Sequence, residues 1–167
     1  MTFERLIETA PSKVLEKLES LKTLRERPDF HPEPNAYDHT KIVVERLIQT
    51  SNPDLIMAGL FHDLFKAECA TINPKTGYPT SPGHDKMAAK FIREHLSDTG
   101  GDISFAFFFD SIGADYKRVA DLCEQHMRIA RYSEMSEKKQ KKLRDMEIFS
   151  DLCIFTQADD MLNDFKY

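Results

Sequence analysis

The sequence predicts an all-α domain, and three observations carry that prediction. Apolar residues recur at helical spacing along most of the chain, whereas no series of alternating apolar and polar residues marks a set of β-strands. Leu55, Ile56, Met57, Leu60, Phe61, Leu64 and Phe65 leave no sizeable polar face, so this stretch predicts a helix at the centre of a bundle. Ahead of it, Asn52-Pro53-Asp54 supplies a cap, a first-turn proline and an acidic N-terminus in the preferred order.

Taken in order, residues 3–9 predict a short amphipathic helix. Pro11-Ser12 separates it from a stronger pattern through Val14, Leu15, Leu18, Leu21 and Leu24, and both helices read as scaffold. Three prolines in Arg27-Pro-Asp-Phe-His-Pro-Glu-Pro-Asn35 predict an irregular approach, after which Asn35 caps a helix from about Ala36 to Ile48. The central helix then runs from Pro53 to about Lys66. Asn73 to Gly83 is a proline- and glycine-rich loop too long for a simple turn, and such loops are often functional. A helix from about His84 to Leu96 follows, stopped by Gly100-Gly101. Phe105, Phe107, Phe108 and Phe109 fit a helical turn or short helix packed under the domain. A clearer helix spans about Asp115 to Ile129, Ser136 caps a charged one from Glu137 to about Met146, and a final helix carries Leu152, Phe155 and Leu162. The expectation is a single domain over residues 1–167, with a core of about 36–162 and an N-terminal helical extension over 1–34.

The 167 residues are 41% hydrophobic and 31% charged, ordinary for a soluble domain, and no apolar run approaches the ~20 residues needed to cross a bilayer. Acidic residues in the first segment argue against a signal peptide. The three cysteines, Cys69, Cys123 and Cys153, are odd in number and form no C-x-x-C pair, which fits a reducing cytoplasm. A net charge of -5 argues against a stable complex with nucleic-acid backbone, although a nucleic-acid end remains an acceptable substrate. The lysine run from Lys138 to Arg144, with Glu137, Asp145 and Glu147 alongside, reads as a solvated helix face.

Polar residues at core positions point to function. His62-Asp63 sits in the apolar central helix, where burial is costly unless the pair is hydrogen-bonded, charge-paired or metal-bound. Helical phase adds others. His39 lines up with Ile42, Val43 and Leu47, His84 with Met87, Ala88 and Phe91, and His126 with Val119, Leu122, Cys123 and Ile129. Asp159 aligns with Leu152, Phe155 and Leu162, whereas Asp160 aligns with Thr156, Gln157, Asn163 and Asp164. One such histidine is ordinarily a satisfied core residue, but so many inward polar positions together point to an open, catalytic metal site. Histidine nitrogens with carboxylates suit Mn, Co, Ni, Fe, Mg or Zn, and the lack of paired cysteines argues against a closed structural zinc site.

With His39, then His62-Asp63 followed by Lys66, then a late Asp159, all on helices, the chain resembles the HD-domain superfamily of metal-dependent phosphohydrolases over roughly Ala36 to Leu162. Pro82-Gly83-His84 opening a helix, and His126 about forty residues later, most resemble the HD domains attached to bacterial tRNA nucleotidyltransferases and their standalone relatives. The resemblance implies a helical bundle in which His39, His62, Asp63 and Asp159 bind one metal between the central helices. In relatives with two metals, residues placed like His84 and His126 hold the second, with Asp63 bridging; the alternative role for these two histidines is a phosphate contact. The nucleotidyl-transferring domain has no counterpart here, so only the hydrolase half carries over. The chain departs from the common His-Asp-Ile-Gly-Lys at Phe65, where a large ring in place of glycine is expected to narrow the space near the pair.

The expected chemistry is phosphoester hydrolysis, with Asp63 and Lys66 as catalytic candidates. Lys66 lies on the same helical side as the pair and could neutralise charge on a phosphoryl group, or be an ordinary lysine near a helix C-terminus. Arg128 and Arg131 could grip phosphates with their planar forks or be solvated charges. Tyr37 and Tyr78 read more readily as packing than as base-stacking residues. The expected substrate is a nucleotide or nucleic-acid end, for a 2′,3′-cyclic phosphodiesterase, 2′-nucleotidase or phosphatase. Two alternatives stand: a 5′-nucleotidase, deoxynucleotide triphosphohydrolase or alarmone hydrolase acting on free nucleotides, and a non-catalytic module that binds a metal or nucleotide.

Overall fold

Helices account for most of the chain, as capping and periodicity predict. The computed structural model describes residues 1–29, 32–97 and 100–160. Within them run α1 (Phe3–Glu8), α2 (Ser12–Leu21), α3 (Ala36–Ile48), α4 (Pro53–Phe61), α5 (Lys66–Cys69), α6 (His84–His95), α7 (Ile103–Ile112), α8 (Tyr116–Ile129), α9 (Glu137–Arg144) and α10 (Phe149–Asp159). A two-stranded hairpin of β1 (Thr71–Ile72) and β2 (Pro79–Thr80) lies between α5 and α6. Leu162, expected on the inner face of the last helix, and His31, expected in a loop, lie outside the described residues.

Two asparagine caps start the central helices. Asn35 accepts from the Asp38 amide at 2.9 Å to open α3, and Asn52 accepts from the Asp54 and Leu55 amides to open α4. All seven residues from Leu55 to Phe61 are buried. α4 packs against α3 on one side and α8 on the other, with α10 and α6 completing the bundle. Gly59 permits the close approach of α3, since a Cβ there would come within 2.8 Å of Leu47 Cδ1 and 3.4 Å of Val44 Cγ2. Arg118 ties α8 to α4 and α10 through Asp54 at 3.1 Å and Asp151 at 2.6 Å.

Several expectations need correction. The central helix stops at Phe61 rather than Lys66: the Leu64 amide bonds three residues back to Phe61, and the Lys66 amide to Asp63, so His62 to Phe65 form tight turns before α5. The proline-rich loop supplies the turn and the return strand of a short hairpin whose first strand, β1, precedes it, and the Gly77 amide closes the turn on Asn73 O at 2.8 Å. The phenylalanine cluster makes the full helix α7, with Phe105, Phe108 and Phe109 buried and Phe107 exposed. Met87 turns outward although it is in phase with His84, and Ser136 starts α9 without a side-chain cap bond. Leu24 falls beyond α2, in a segment whose Arg25 pairs with Asn35 as an isolated bridge. The first two helices bury Phe3, Leu6, Val14, Leu18 and Leu21 in the same core as α3 and α4.

Candidate metal centre

Five elements and turns bring the polar residues together. α3 supplies His39, the turn after α4 supplies His62 and Asp63, α6 opens on His84, α8 supplies His126, and α10 ends on Asp159. Local structure aims each of them. Gly83 takes a left-handed conformation (φ 83°) that turns the chain into α6 directly before His84. Arg46 of α3 donates to Ala158 O at 3.1 Å and so holds the end of α10 beside Asp159. Ser81 Oγ donates to Lys66 O at 2.8 Å, joining the hairpin's return strand to α5.

Asp63 stands at the centre. Its Oδ2 lies 3.1 Å from His62 Nε2 and 3.7 Å from His39 Nε2, while its Oδ1 lies 3.2 Å from His84 Nε2. Asp159 Oδ1 lies 2.9 Å from His39 Nε2 and 3.4 Å from His62 Nε2. His84 Nε2 and His126 Nε2 are 3.3 Å apart. Ligand atoms of His39, His62 and Asp63, and separately those of Asp63, His84 and His126, all lie within 4.8 Å of one another. Bonds of about 2.0–2.2 Å place the ligands of one ion at most ~4.4 Å apart, so both groups are near coordination size.

The imidazoles are pre-oriented. The Nδ1 atoms of His62, His84 and His126 lie 2.8, 2.6 and 2.6 Å from the carbonyls of Gly59, Ser81 and Cys123. Only an N–H satisfies a carbonyl, so each neutral ring turns its Nε2 lone pair toward the cluster. His39 differs: its Nδ1 faces the buried Glu33, 3.6 Å from Oε2. His62 Nε2 and Asp63 Oδ2 are buried and have ion-pair neighbours but no contact of hydrogen-bond geometry. Buried polar atoms left in that condition are costly, and coordination to a cation would satisfy both. The donor set and these two atoms fit a divalent metal: His39, His62 and Asp63 as one group, with Asp159 beside two of its nitrogens, and Asp63, His84 and His126 as another.

Charge within the cluster follows from the same geometry. Burial disfavours the charged form of His39, but Asp159 and Glu33 outweigh it and raise its pKa to about 9; for His62, Asp63 and Asp159 outweigh burial and raise it to about 10. Both carboxyls, although buried, are held well below the usual carboxylate range: Asp63 by His62 and Lys66, Asp159 by His39 and His62. His126 goes the other way, pushed down to about 4 by burial and the neighbouring His62 charge. Without an ion, protons on His39 and His62 balance the carboxylates; with one, the metal takes that role.

Lys66 is not a surface lysine. Its Nζ sits 2.8 Å from both Asp63 Oδ2 and Glu26 Oε1, and these two carboxylates raise its pKa despite burial. It lines a cleft of about 380 Å³ with His84, Arg25, Arg27, Ser81 and Met127. Arg128 and Arg131 instead line a neighbouring hollow, where Arg128 donates to Gln125 and Arg131 pairs with Glu134. Phe65 does not crowd the cluster: its ring packs on Phe91, centroids 5.2 Å apart, under the Lys17 ammonium. Tyr37 packs edge-on against Phe3, and Tyr78 lies under Arg25.

Glu26 and Glu33 were not among the expected site residues. Both come from the irregular stretch between α2 and α3, where no periodicity assigns a face. The available signal was Glu33 itself, a carboxylate fixed between Pro32 and Pro34 shortly before His39. Comparison with protein-family models, curated proteins and solved structures finds no match.

Proposed function

We propose that this chain is a metal-dependent phosphohydrolase acting on a nucleotide or a nucleic-acid end, related to the HD-domain superfamily. One observation carries the reading: Asp63 offers Oδ2 to His39 and His62 and Oδ1 to His84, so a single carboxylate faces both groups of nitrogen ligands. His39, His62, Asp63 and Asp159 would hold one divalent ion, and Asp63 with His84 and His126 a second. Such ions polarise a phosphoryl oxygen and bring the pKa of water toward neutrality.

The chain's own groups supply the rest. Lys66, fixed between Asp63 and Glu26 and protonated at neutral pH, keeps a positive charge in the cleft wall where charge develops on a phosphoryl group. Arg25 lines the same cleft and brings a planar, phosphate-matching fork to it, while Arg27, also in the lining, is paired with Asp29. Pro79, Pro82 and Met127 shape its apolar wall and limit water. His126, neutral at pH 7, offers a lone pair rather than a charge.

The test is a matrix of Mn, Co, Ni and Mg against 2′,3′-cyclic nucleotides, nucleoside mono- and triphosphates and single-stranded ends. At least one pair should turn over, with the rate falling by about 10²-fold or more in His62→Ala. A metal-loaded protein that hydrolyses none of these, or a His62→Ala variant as active as wild type, overturns the reading.

A further inference from the structure

Met127, beside the ligand His126, lines two hollows at once. One is the cleft over His84 and Lys66; the other is a concavity of about 870 Å³ between the start of α6, the end of α8 and the start of α9. The second carries Lys86, Arg128, Arg131, Lys139 and Lys142 against the carboxylates of Asp85, Glu124 and Glu134. This excess of cations occurs on a chain of net charge -5. Arg131 is neutralised by Glu134, but Lys86, Lys139 and Lys142 are exposed and make no ion pair among the described residues. Lys139 and Lys142, three apart on α9, share a face, whereas Lys141 in the same run pairs with Asp145. Ser136, which opens α9 without a side-chain cap bond, lines the same wall.

We propose that this concavity binds the phosphodiester backbone of a single-stranded oligonucleotide whose end enters the cleft; the role of the cleft rests on the phosphohydrolase reading. The cleft can take the reacting phosphate of a mononucleotide by itself. A second hollow that shares Met127 with it, with three unneutralised ammonium groups, suits a ligand that carries further phosphates at a distance from the first. Its apolar lining is Met127 and Met135, and no aromatic ring is among its lining residues. It therefore offers charge without a stacking platform, which reads backbone rather than base sequence. The volume is within the ~300–1,000 Å³ of small-ligand sites, so it suits a few nucleotides and not a duplex.

The probe is a fluorescein-labelled single-stranded hexaribonucleotide with a 3′-phosphate, titrated by anisotropy against the full chain. Lys139→Glu with Lys142→Glu should weaken binding about tenfold or more, and reduce the slope of log K against log salt by about 1.4, two contacts at ~0.7 each. Lys22→Glu with Lys90→Glu makes the same charge change on exposed residues elsewhere and should shift the affinity by less than about twofold. Equal weakening by both pairs overturns the proposal, as does a hexaglutamate peptide that competes as well as unlabelled hexanucleotide. Phosphate release is scored separately. Lysine-dependent binding by a metal-loaded protein that hydrolyses none of the matrix substrates removes the hydrolase reading and leaves the groove; hydrolysis without lysine-dependent binding does the reverse.

Discussion

Asp63→Asn removes a charge while keeping the side-chain shape, and it tests the centre of the site directly. The carboxylate is 2% exposed and meets Lys66 at 2.8 Å, His62 at 3.1 Å and His84 at 3.2 Å. After substitution, Glu26 remains as the ion-pair partner of Lys66 and Asp159 as that of His62 among the described residues. Breaking one partner of a buried ion pair costs about 3–5 kcal/mol. With a urea m-value of about 2 kcal/mol/M, the unfolding midpoint of the chelator-treated protein should fall by about 1.5–2.5 M. Titration calorimetry with Mn then separates the roles of the carboxylates. Asp63→Asn, which removes the group common to both ligand sets, should abolish uptake, whereas Asp159→Asn should leave the Asp63, His84 and His126 set able to bind. A midpoint shift below about 0.5 M together with unchanged metal stoichiometry would refute the central position of Asp63.

Metal at a hundredfold excess over its Kd should stabilise the wild type by about 2.7 kcal/mol, raising Tm by roughly 5–11 °C for a chain of this size, and EDTA should reverse the shift. The metal-free and metal-loaded forms should respond oppositely to alkali. His39 and His62 have folded pKa values raised to about 9 and 10, so their contribution to the metal-free fold is full below about 6.5 and is lost as pH rises through 9–10. His126, at about 4, is neutral in both states over that range. Metal must displace the His39 and His62 protons, so its affinity should rise with pH and its binding should release protons, read from calorimetry in buffers of different ionisation enthalpy; a buffer-independent heat would contradict this. Glu33→Gln should weaken metal binding about 10–100-fold through His39 while far-UV circular dichroism stays native, measured by competition with a chelating dye. Gly83→Ala forces a side chain into the left-handed region and should cost about 1–2 kcal/mol in chemical denaturation.

What could be read from the sequence was what helices make periodic. The limits of α3 and the start of α4 follow from Asn35, Asn52 and Pro53, whose side chains cap or begin helices for local reasons that need no tertiary context. Phase likewise distinguishes Asp159 from Asp160, because neighbouring helical positions point about a quarter-turn apart or more. It failed where the backbone leaves the helix. His62 to Phe65 form turns, which carry Phe65 away from the cluster and onto Phe91. Glu26 and Glu33 sit in a stretch with no period at all, and their burial depends on contacts with Lys66 and His39 formed only in the folded chain. The two-residue strands of the hairpin are too short to alternate visibly.

His39 hydrogen-bonds Asp159 from 120 positions away, and Lys66 reaches back 40 positions to Glu26. At about 5–20 residues per second, a ribosome needs roughly 6–24 s to make Asp159 after His39. For that interval the first ligand is in the cell without its last partner. On the proposed metal-binding reading, an ion captured earlier would be held by an incomplete set, and the set would close only once α10 has been made. Metal content would then serve as an assay of correct folding: a chain misassembled between α3 and α10 should be recognisable by the ion it fails to retain.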